Sequence, residues 1–413
     1  MTAQVAPRGK ALLGAGDWLE RIPRWLGQVW TGGFARLFNR VDAGLVRGSL
    51  RVRLPDGTER TIGGRAPGFD AEIHLRDWRA LLRLATAGSV GCYQGWEARE
   101  WDSGDPVTLF ALFCDNAESL GSIGRARGPW HLIGRLLHGS RRNSHAGSAR
   151  NIHAHYDLGN DFYAAWLDSA MVYSSARFET GGLSLEAAQQ AKLDSIADRI
   201  GGARSVLEIG CGWGAMAARL RDRGMAVTAI SLSDEQLAWA RQRHAGIDFL
   251  RQDYRDVAGQ FDAIASVEMV EAVGQEYWGA FFDSVNRNLK PGGRAAIQYI
   301  AIRDDIFPAY AAGADFIQTY IFPGGMLVSE AAFRQLAAER GLEWRDPAHF
   351  ALDYAETLRL WRARFDLAVV EGRLPPDFDE RFVRLWRFYL MYCEGGFRGG
   401  LIDVAQVTLV KPT

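Results

Sequence analysis

Cysteine is sparse in this chain. Its 413 residues hold four, Cys92, Cys114, Cys211 and Cys393, far apart and with no paired CxxC spacing. That pattern excludes a disulfide framework and a zinc module, and it fits a reducing compartment. His153 and His155 form an HxH pair, but two nitrogens without further ligands do not make a metal site, and none is expected. No charge of one sign dominates: 48 Lys and Arg stand against 49 Asp and Glu, a net charge of -1. The global positive field of a nucleic-acid binder is therefore missing, and no nucleic-acid partner is expected. No run approaches the roughly 18 apolar residues of a spanning helix, and the N-terminus has no continuous apolar signal region. The expectation is a cytoplasmic protein, peripheral at the inner face of the membrane. A GxSxG elbow is also missing, which sets aside a serine hydrolase.

What is present divides the chain. Residues 121–150 carry Arg125, Arg127, Arg135, Arg141, Arg142 and Arg150 and no acidic residue, the composition of a basic linker between domains at 1–120 and 151–413. Within it, Trp130 to Ile133 and Leu136-Leu137 set apolar groups at helical spacing beside arginines, which reads as a short interfacial helix on an anionic membrane or as a solvated linker. Upstream, Leu45 to Ile62 alternates around Pro55-Asp56-Gly57 like a hairpin, and Asp77–Ala87 reads as a helix, so a small α+β domain is expected. Trp18, Trp25, Trp30 and Phe34 among the first 40 residues suggest either a docking helix or a membrane-leaning one.

From about residue 185 strand, loop and helix alternate, the signature of a doubly wound parallel sheet. Ser205-Val206-Leu207 is a short apolar strand that runs into Glu208 to Gly214, where glycines let the backbone turn and a ligand approach the main chain. Such a turn serves nicotinamide, flavin and adenosylmethionine enzymes alike. The second strand separates them. A nicotinamide dehydrogenase sets an acid about 20 positions on, to hold the ribose. Here Val227 to Ile230 ends in Ser231-Leu232-Ser233, and the first acids, Asp234 and Glu235, belong to the next helix, whose dipole they complement. A strand at Ile247–Leu250 leads to Gln252 to Asp256, and a strand at Phe261–Val267 ends in Glu268-Met269-Val270-Glu271. These polar clusters fall at the carboxyl ends of strands and so converge on one cleft.

The sequence resembles the cyclopropane fatty acid synthases, which include the mycolic acid cyclopropane synthases and related unsaturated-lipid methyltransferases. The matching stretches are His155 to Tyr163, Val172-Tyr173-Ser174, Glu186 to Leu193, Glu208 to Gly214, Ser231 to Gln236, Gln252 to Asp256, Asn288 to Gly293, Tyr320 to Gly325 and Cys393 to Arg398. They span residues 150–410 in order, and a fainter likeness around Gly88 to Trp101 reaches the family's lipid-carrier-like N-terminal domain, a candidate surface for a homodimer. The resemblance implies an α/β class I S-adenosylmethionine methyltransferase of Rossmann-like fold, with a smaller α+β domain at 1–120. Its cofactor contacts carry over to Tyr173, Ser174, Glu208, Gly210, Cys211, Gly212, Trp213, Gly214, Ser231, Leu232, Gln236, Asp253, Tyr254 and Arg255.

Methylating an alkene generates a carbocation, so the site needs an aromatic-walled acyl channel, an anion and a base that acts after methyl transfer. Tyr299, Phe316, Tyr320, Phe322, Trp361, Phe388 and Tyr389 are candidate walls, Tyr320 above all. In the family a bound bicarbonate, held by a cysteine, a glutamate, a histidine, a backbone group and a tyrosine, accepts the final proton. This sequence keeps Glu271 and Tyr354, but has Ser175 for the cysteine, Ala272 for a histidine after the glutamate, Gln298 for the second histidine, and Glu268 where glycine is common. Glu268 beside Glu271 opposes bicarbonate by like-charge repulsion, although Ser175 and Gln298 could still hold it through neutral hydrogen bonds, which keeps the ring-forming product open. The expectation is that methyl transfer is retained, with Glu268 or Glu271, both taken as negative near neutral pH, acting as base. Cys393 aligns with a cysteine once assigned to catalysis in the family and is expected to be buried in the last helix.

The expected substrate is an unsaturated phospholipid or fatty-acyl chain, converted to a cyclopropane or to a methyl- or methylene-branched product. Methylation of a polyunsaturated chain toward furan fatty acids and a non-catalytic lipid-binding role stand as alternatives. A nicotinamide oxidoreductase is set aside by Ser231.

Overall fold

A computed structural model describes residues 8–13, 31–121, 158–179 and 181–413. The arginines of the linker, Trp18, Trp25, Trp30, His153 and His155 lie outside the described residues. The chain forms two compact units, each built from separated stretches.

The first unit comprises residues 1–141, Asp305–Pro323 and Pro376–Ile402. Its sheet, in the order β2-β1-β3-β4, uses β1 (Ser49–Arg53), β2 (Glu59–Gly63), β3 (Asp70–Leu75) and β4 (Trp101–Asp102). Alternation dictates β1: Leu50 and Val52 are buried while Arg51 and Arg53 face solvent. The expected hairpin forms, turned by Gly57 at φ 85° and by Asp56, whose Oδ1 accepts from the Thr58 N–H at 2.9 Å. Helix α1 spans Thr31–Gly44, α2 spans Arg79–Glu97 and α3 spans Pro106–Asp115. Helix α2 outruns the expected Asp77–Ala87 because the chain kinks at Gly88 (φ 57°, ψ -133°) and then resumes as helix.

The second unit comprises residues 142–304, Gly324–Pro375 and Asp403–Thr413. After a short helix at Asn160–Ala164 it continues with α4 (Leu185–Arg199), β5 (Ser205–Ile209), α5 (Ala215–Asp222), β6 (Ala226–Ser231) and α6 (Asp234–Arg243). There follow β7 (Asp248–Arg251), β8 (Phe261–Val267), α7 (Trp278–Asn288), β9 (Leu289–Ile302), α8 (Glu330–Glu339), β10 (Glu343–His349), α9 (Ala351–Val370) and β11 (Ile402–Val410). The seven strands lie in the order β10-β11-β9-β8-β5-β6-β7, with β5 through β9 parallel and β10 antiparallel to β11. Strands β5, β6 and β8 fall where the hydrophobic runs put them. Val206, Val227, Ala263 and Ala265 pack with Leu193, Ile196 and Leu237 into the core on one sheet face. Strand order reverses between β5 and β8, which puts the binding crevice at their carboxyl ends.

The single division expected across 121–150 is too simple. Two stretches from beyond residue 300 join the first unit, one of them carrying α10 (Glu380–Arg398). Glycine is the reason α10 belongs there. A Cβ on Gly395 would stand 2.4 Å from the Phe110 Cβ and 2.9 Å from the Val107 carbonyl, so the bare backbone lets α10 cross α3 closely. Tyr320, Phe316, Phe322, Phe388, Tyr389 and Cys393 consequently fall in the first unit.

Candidate active site

Every cofactor residue named from the sequence lies in the second unit. The Glu208–Gly214 loop leaves β5 with Gly210, Gly212 and Gly214 all at positive φ. A Cβ on Gly210 would run into Met269, 2.6 Å from its Cγ, whereas one on Gly212 would meet no atom within 4 Å. The loop thus closes against protein at Gly210 and presents open main chain at Gly212, the cradle a ligand would fill. Glu208 is buried, and its Oε2 has no hydrogen-bond partner among the described residues. Burial pushes its carboxyl up to about 8 against the pull of Lys192. Cys211 is a small buried residue whose Sγ reaches only the Gly212 carbonyl, and burial holds its thiol well above the usual range.

At the end of β6, the Ser231 Oγ donates to Gln236 Oε1 at 3.4 Å and accepts from the Ser233 N–H at 3.2 Å. Ser233 caps α6, with Asp234 and Glu235 in its first turn as expected. Leu232 is half-buried beside them. Asp253 accepts from the backbone N–H and both the Nε and Nη2 of Arg255, pinning that guanidinium over the rings of Tyr254 and Tyr277 at 5.5 and 5.3 Å. Neutral oxygens at Ser231 and Gln236 and an aromatic-cationic shelf at Tyr254-Arg255 suit ribose hydroxyls and a flat base. Adenosylmethionine fits this donor set: a buried carboxyl with a spare oxygen, an open glycine turn and neutral ribose partners.

Ser174 is held from α4, a contribution missed in the sequence. Lys192 Nζ donates to Ser174 Oγ at 2.6 Å, and Gln189 Nε2 donates to the Ser174 carbonyl at 2.9 Å. Burial drives the Lys192 ammonium down to about 8, opposed by Glu268, Asp168 and Glu208. The signal was a lysine and a glutamine on the face of an amphipathic helix that turns inward. Tyr163, Trp166, Tyr173, Trp213 and Trp361 form one aromatic wall, with Tyr163–Trp213 centroids 5.1 Å apart and Tyr173–Trp361 5.3 Å apart. Trp213 is fixed by Nε1 donating to Asn160 Oδ1 at 2.7 Å. Of the seven aromatic residues singled out in the sequence, Trp361 is the one that joins this buried cluster. Tyr299 donates to Glu330 and packs on Phe333 and Trp344, as core. Tyr320 accepts from Gln94 Nε2 and packs on Tyr93 and Phe316 within the first unit. Cys393 lies in α10, half-buried, with desolvation holding its thiol far above the range of a thiolate.

The altered polar residues converge on one carboxylate. Glu268 Oε1 accepts from the Ser175 N–H at 2.9 Å and from Gln298 Nε2 at 2.8 Å, and Oε2 accepts from the Tyr354 hydroxyl at 2.6 Å. Ser175 contributes its backbone, not its hydroxyl, which donates to the Ala176 carbonyl. Glu268 achieves this from φ 49°, a left-handed conformation that glycine adopts freely and glutamate does not. Burial raises its carboxyl above the usual value while Tyr354, Ser175, Lys192 and Gln298 hold it down. Glu271 behaves differently. Its Oε1 accepts from the Ile300 N–H, its Oε2 has no partner among the described residues, and burial with the adjacent Glu268 charge pushes it up to about 8. The two glutamates, both taken as negative from the sequence, sit in different environments: burial and the neighbouring Glu268 charge favour the proton on Glu271, while the Tyr354, Ser175 and Gln298 donors favour the charged form of Glu268.

The fold and the crevice define a class I S-adenosylmethionine-dependent methyltransferase. Residues 143–407 match the family model described as mycolic acid cyclopropane synthetase, and the chain belongs to that family. It is 35% identical over 442 aligned positions to the tuberculostearic acid methyltransferase of Mycobacterium tuberculosis, covering 100% of this chain and 99% of that protein. It is 38% identical to the cyclopropane-fatty-acyl-phospholipid synthase of Escherichia coli, over 85% of this chain and 90% of that one. The crystal structure of the mycolic acid cyclopropane synthase CmaA1 with SAH and CTAB superposes with a TM-score of 0.59 at 29% identity, covering 64% of this chain and 98% of that one.

Proposed function

We propose that this methyltransferase alkylates the double bond of unsaturated fatty-acyl chains without bicarbonate, using the Glu268 carboxylate as its own site anion, and yields a methyl- or methylene-branched product. One observation carries the reading: Glu268 accepts from Ser175, Gln298 and Tyr354, the positions that in the resembling synthases hold bicarbonate. Two carboxylate-sized anions do not share such a pocket.

Adenosylmethionine supplies the methyl group as a sulfonium. Attack by the olefin π pair on that methyl would form the new C–C bond as the S–CH3 bond breaks and a neutral thioether departs, leaving a cation on the neighbouring carbon. Glu268 balances that charge. Among the described residues Oε1 is doubly held and Oε2 singly, so Oε2 keeps a lone pair for the departing proton. Loss of that proton from a chain carbon leaves a double bond with the methyl as a branch, whereas a 1,2-hydride shift followed by proton loss from the added methyl gives the methylene branch. Support comes also from the whole-length match to a tuberculostearic acid methyltransferase. We place the reaction at a membrane surface, with the arginines of 121–150 against anionic headgroups. No helix among the described residues is long and apolar enough to cross a membrane.

The test is mass spectrometry of lipids from cells expressing the protein and fed methyl-labelled methionine, with purified enzyme assayed with and without added bicarbonate. A one-carbon gain whose fragments show a branch, formed at the same rate without bicarbonate, supports the reading. A bicarbonate-dependent cyclopropane overturns it.

A further inference from the structure

The groups that hold Glu268 from the sheet do not end at Gln298. Gln298 Oε1 accepts from Gln406 Nε2 on β11 at 3.0 Å. Gln406 Oε1 accepts in turn from Ser195 Oγ at 2.7 Å and from Arg199 Nε at 3.3 Å, both on α4. Ser195 Oγ accepts from Arg177 Nη1. Gln298 and Gln406 are wholly buried, so no solvent competes for the bond between the two amides.

The line has a direction. A guanidinium only donates, so the end at Arg177 and Arg199 must face oxygen. That turns the Gln406 carbonyl outward and its amino group inward. Gln298 must then offer its carbonyl to Gln406 and its amino group to Glu268. An amide alone can be read either way round, but one anchored to arginine cannot. Glu268 Oε1 thus meets N–H groups from both Gln298 and Ser175, and a proton placed on it would face two others.

We propose that Gln406 is a positioning residue of the methyl-transfer site, which fixes the sense of the Gln298 amide and so holds Glu268 as a proton acceptor. This rests on the reading of Glu268 as the site anion. Gln406 touches no reacting atom. Lys192 from α4, Tyr354 from α9 and Glu271 beyond β8 also face Glu268 and stay in place in every variant below, so differences between variants report the relay.

The full-length protein labelled with [5-13C]glutamate gives the titration of Glu268 by NMR, its signal assigned by loss in Glu268→Gln. In Gln406→Leu the Glu268 midpoint should rise by about one pH unit, a tenfold gain in proton affinity. The acid limb of kcat should move with it, at constant KM for adenosylmethionine. In a Gln298→Leu background, Gln406→Leu should add no further shift, because the relay is already cut. Should Gln406→Leu not fold, Gln406→Glu keeps the arginine partner, removes the inward donor and should shift the midpoint the same way. An unmoved midpoint, or a shift of equal size in the Gln298→Leu background, overturns the proposal. Lack of methyl transfer to any unsaturated acyl chain would instead overturn the functional reading, while the titration still decides the relay.

Discussion

At the scale of single residues, the site turns on which of two glutamates carries charge. Glu268→Gln keeps the shape and removes the anion, so turnover should fall roughly 100-fold or more while adenosylmethionine affinity by calorimetry stays within about twofold. Glu268→Gly relieves a non-glycine residue at φ 49° and a buried carboxylate, so the variant should melt higher, by about 1 kcal/mol or more of added stability, and its residual activity should respond to bicarbonate. Glu271 has the opposite signature. Its carboxyl is raised from 4.5 to about 8, so the native state holds a proton the unfolded chain releases. The stability this group contributes is complete below about pH 4.5 and is lost as pH rises through 8. Thermal melts of Glu271→Gln should therefore gain on the parent steadily from pH 5 to 8, and a constant gap over that range would contradict the assignment. Because burial and the Glu268 charge favour the neutral form of Glu271, its glutamine variant should lose far less activity than Glu268→Gln.

At the scale of elements, the glycine loop after β5 admits a direct check. Gly212→Ala puts one methyl into the space left for the cofactor and should weaken adenosylmethionine binding by at least tenfold by calorimetry. Gly212→Val should abolish binding and, because a branched residue resists φ 51°, also lower the melting temperature, so the alanine variant is the cleaner probe. Strands β5, β6 and β8 and the first turn of α6 were legible in the sequence because period and capping residues are local properties. So was the hairpin at Asp56-Gly57. The anion cluster was legible only as a set of unusual residues. That Ser175 would use its N–H, that Gln298 would be oriented from β11, and that Glu268 would itself fill the pocket depend on distances between positions 93 and 30 residues apart along the chain. Aromatic density points to burial, and only the fold decides that Tyr163 and Trp166 cluster with Tyr173 while Tyr299 packs on Phe333 and Phe316 on Tyr93.

At the scale of the whole molecule, the arginines of residues 121–150 give the chain a strongly basic segment despite a net charge of -1. Replacing Arg125, Arg127, Arg141 and Arg142 by Gln should weaken binding to vesicles containing anionic phospholipid, each arginine near the surface contributing about 1 kcal/mol, and equal sedimentation of both proteins would remove this segment from membrane contact. The two units interleave, and this sets an order of events during synthesis. The chain leaves the ribosome N-terminus first, yet the face of α3 that receives Gly395 and Gly399 waits for Glu380–Arg398. At a rate of about 5–20 residues per second, the nascent first unit stays uncovered there for on the order of tens of seconds. During that interval the second unit's parallel strands, already translated through β9, can close without it, so a stalled or truncated chain should expose the apolar side of α3 and be the form that chaperones retain.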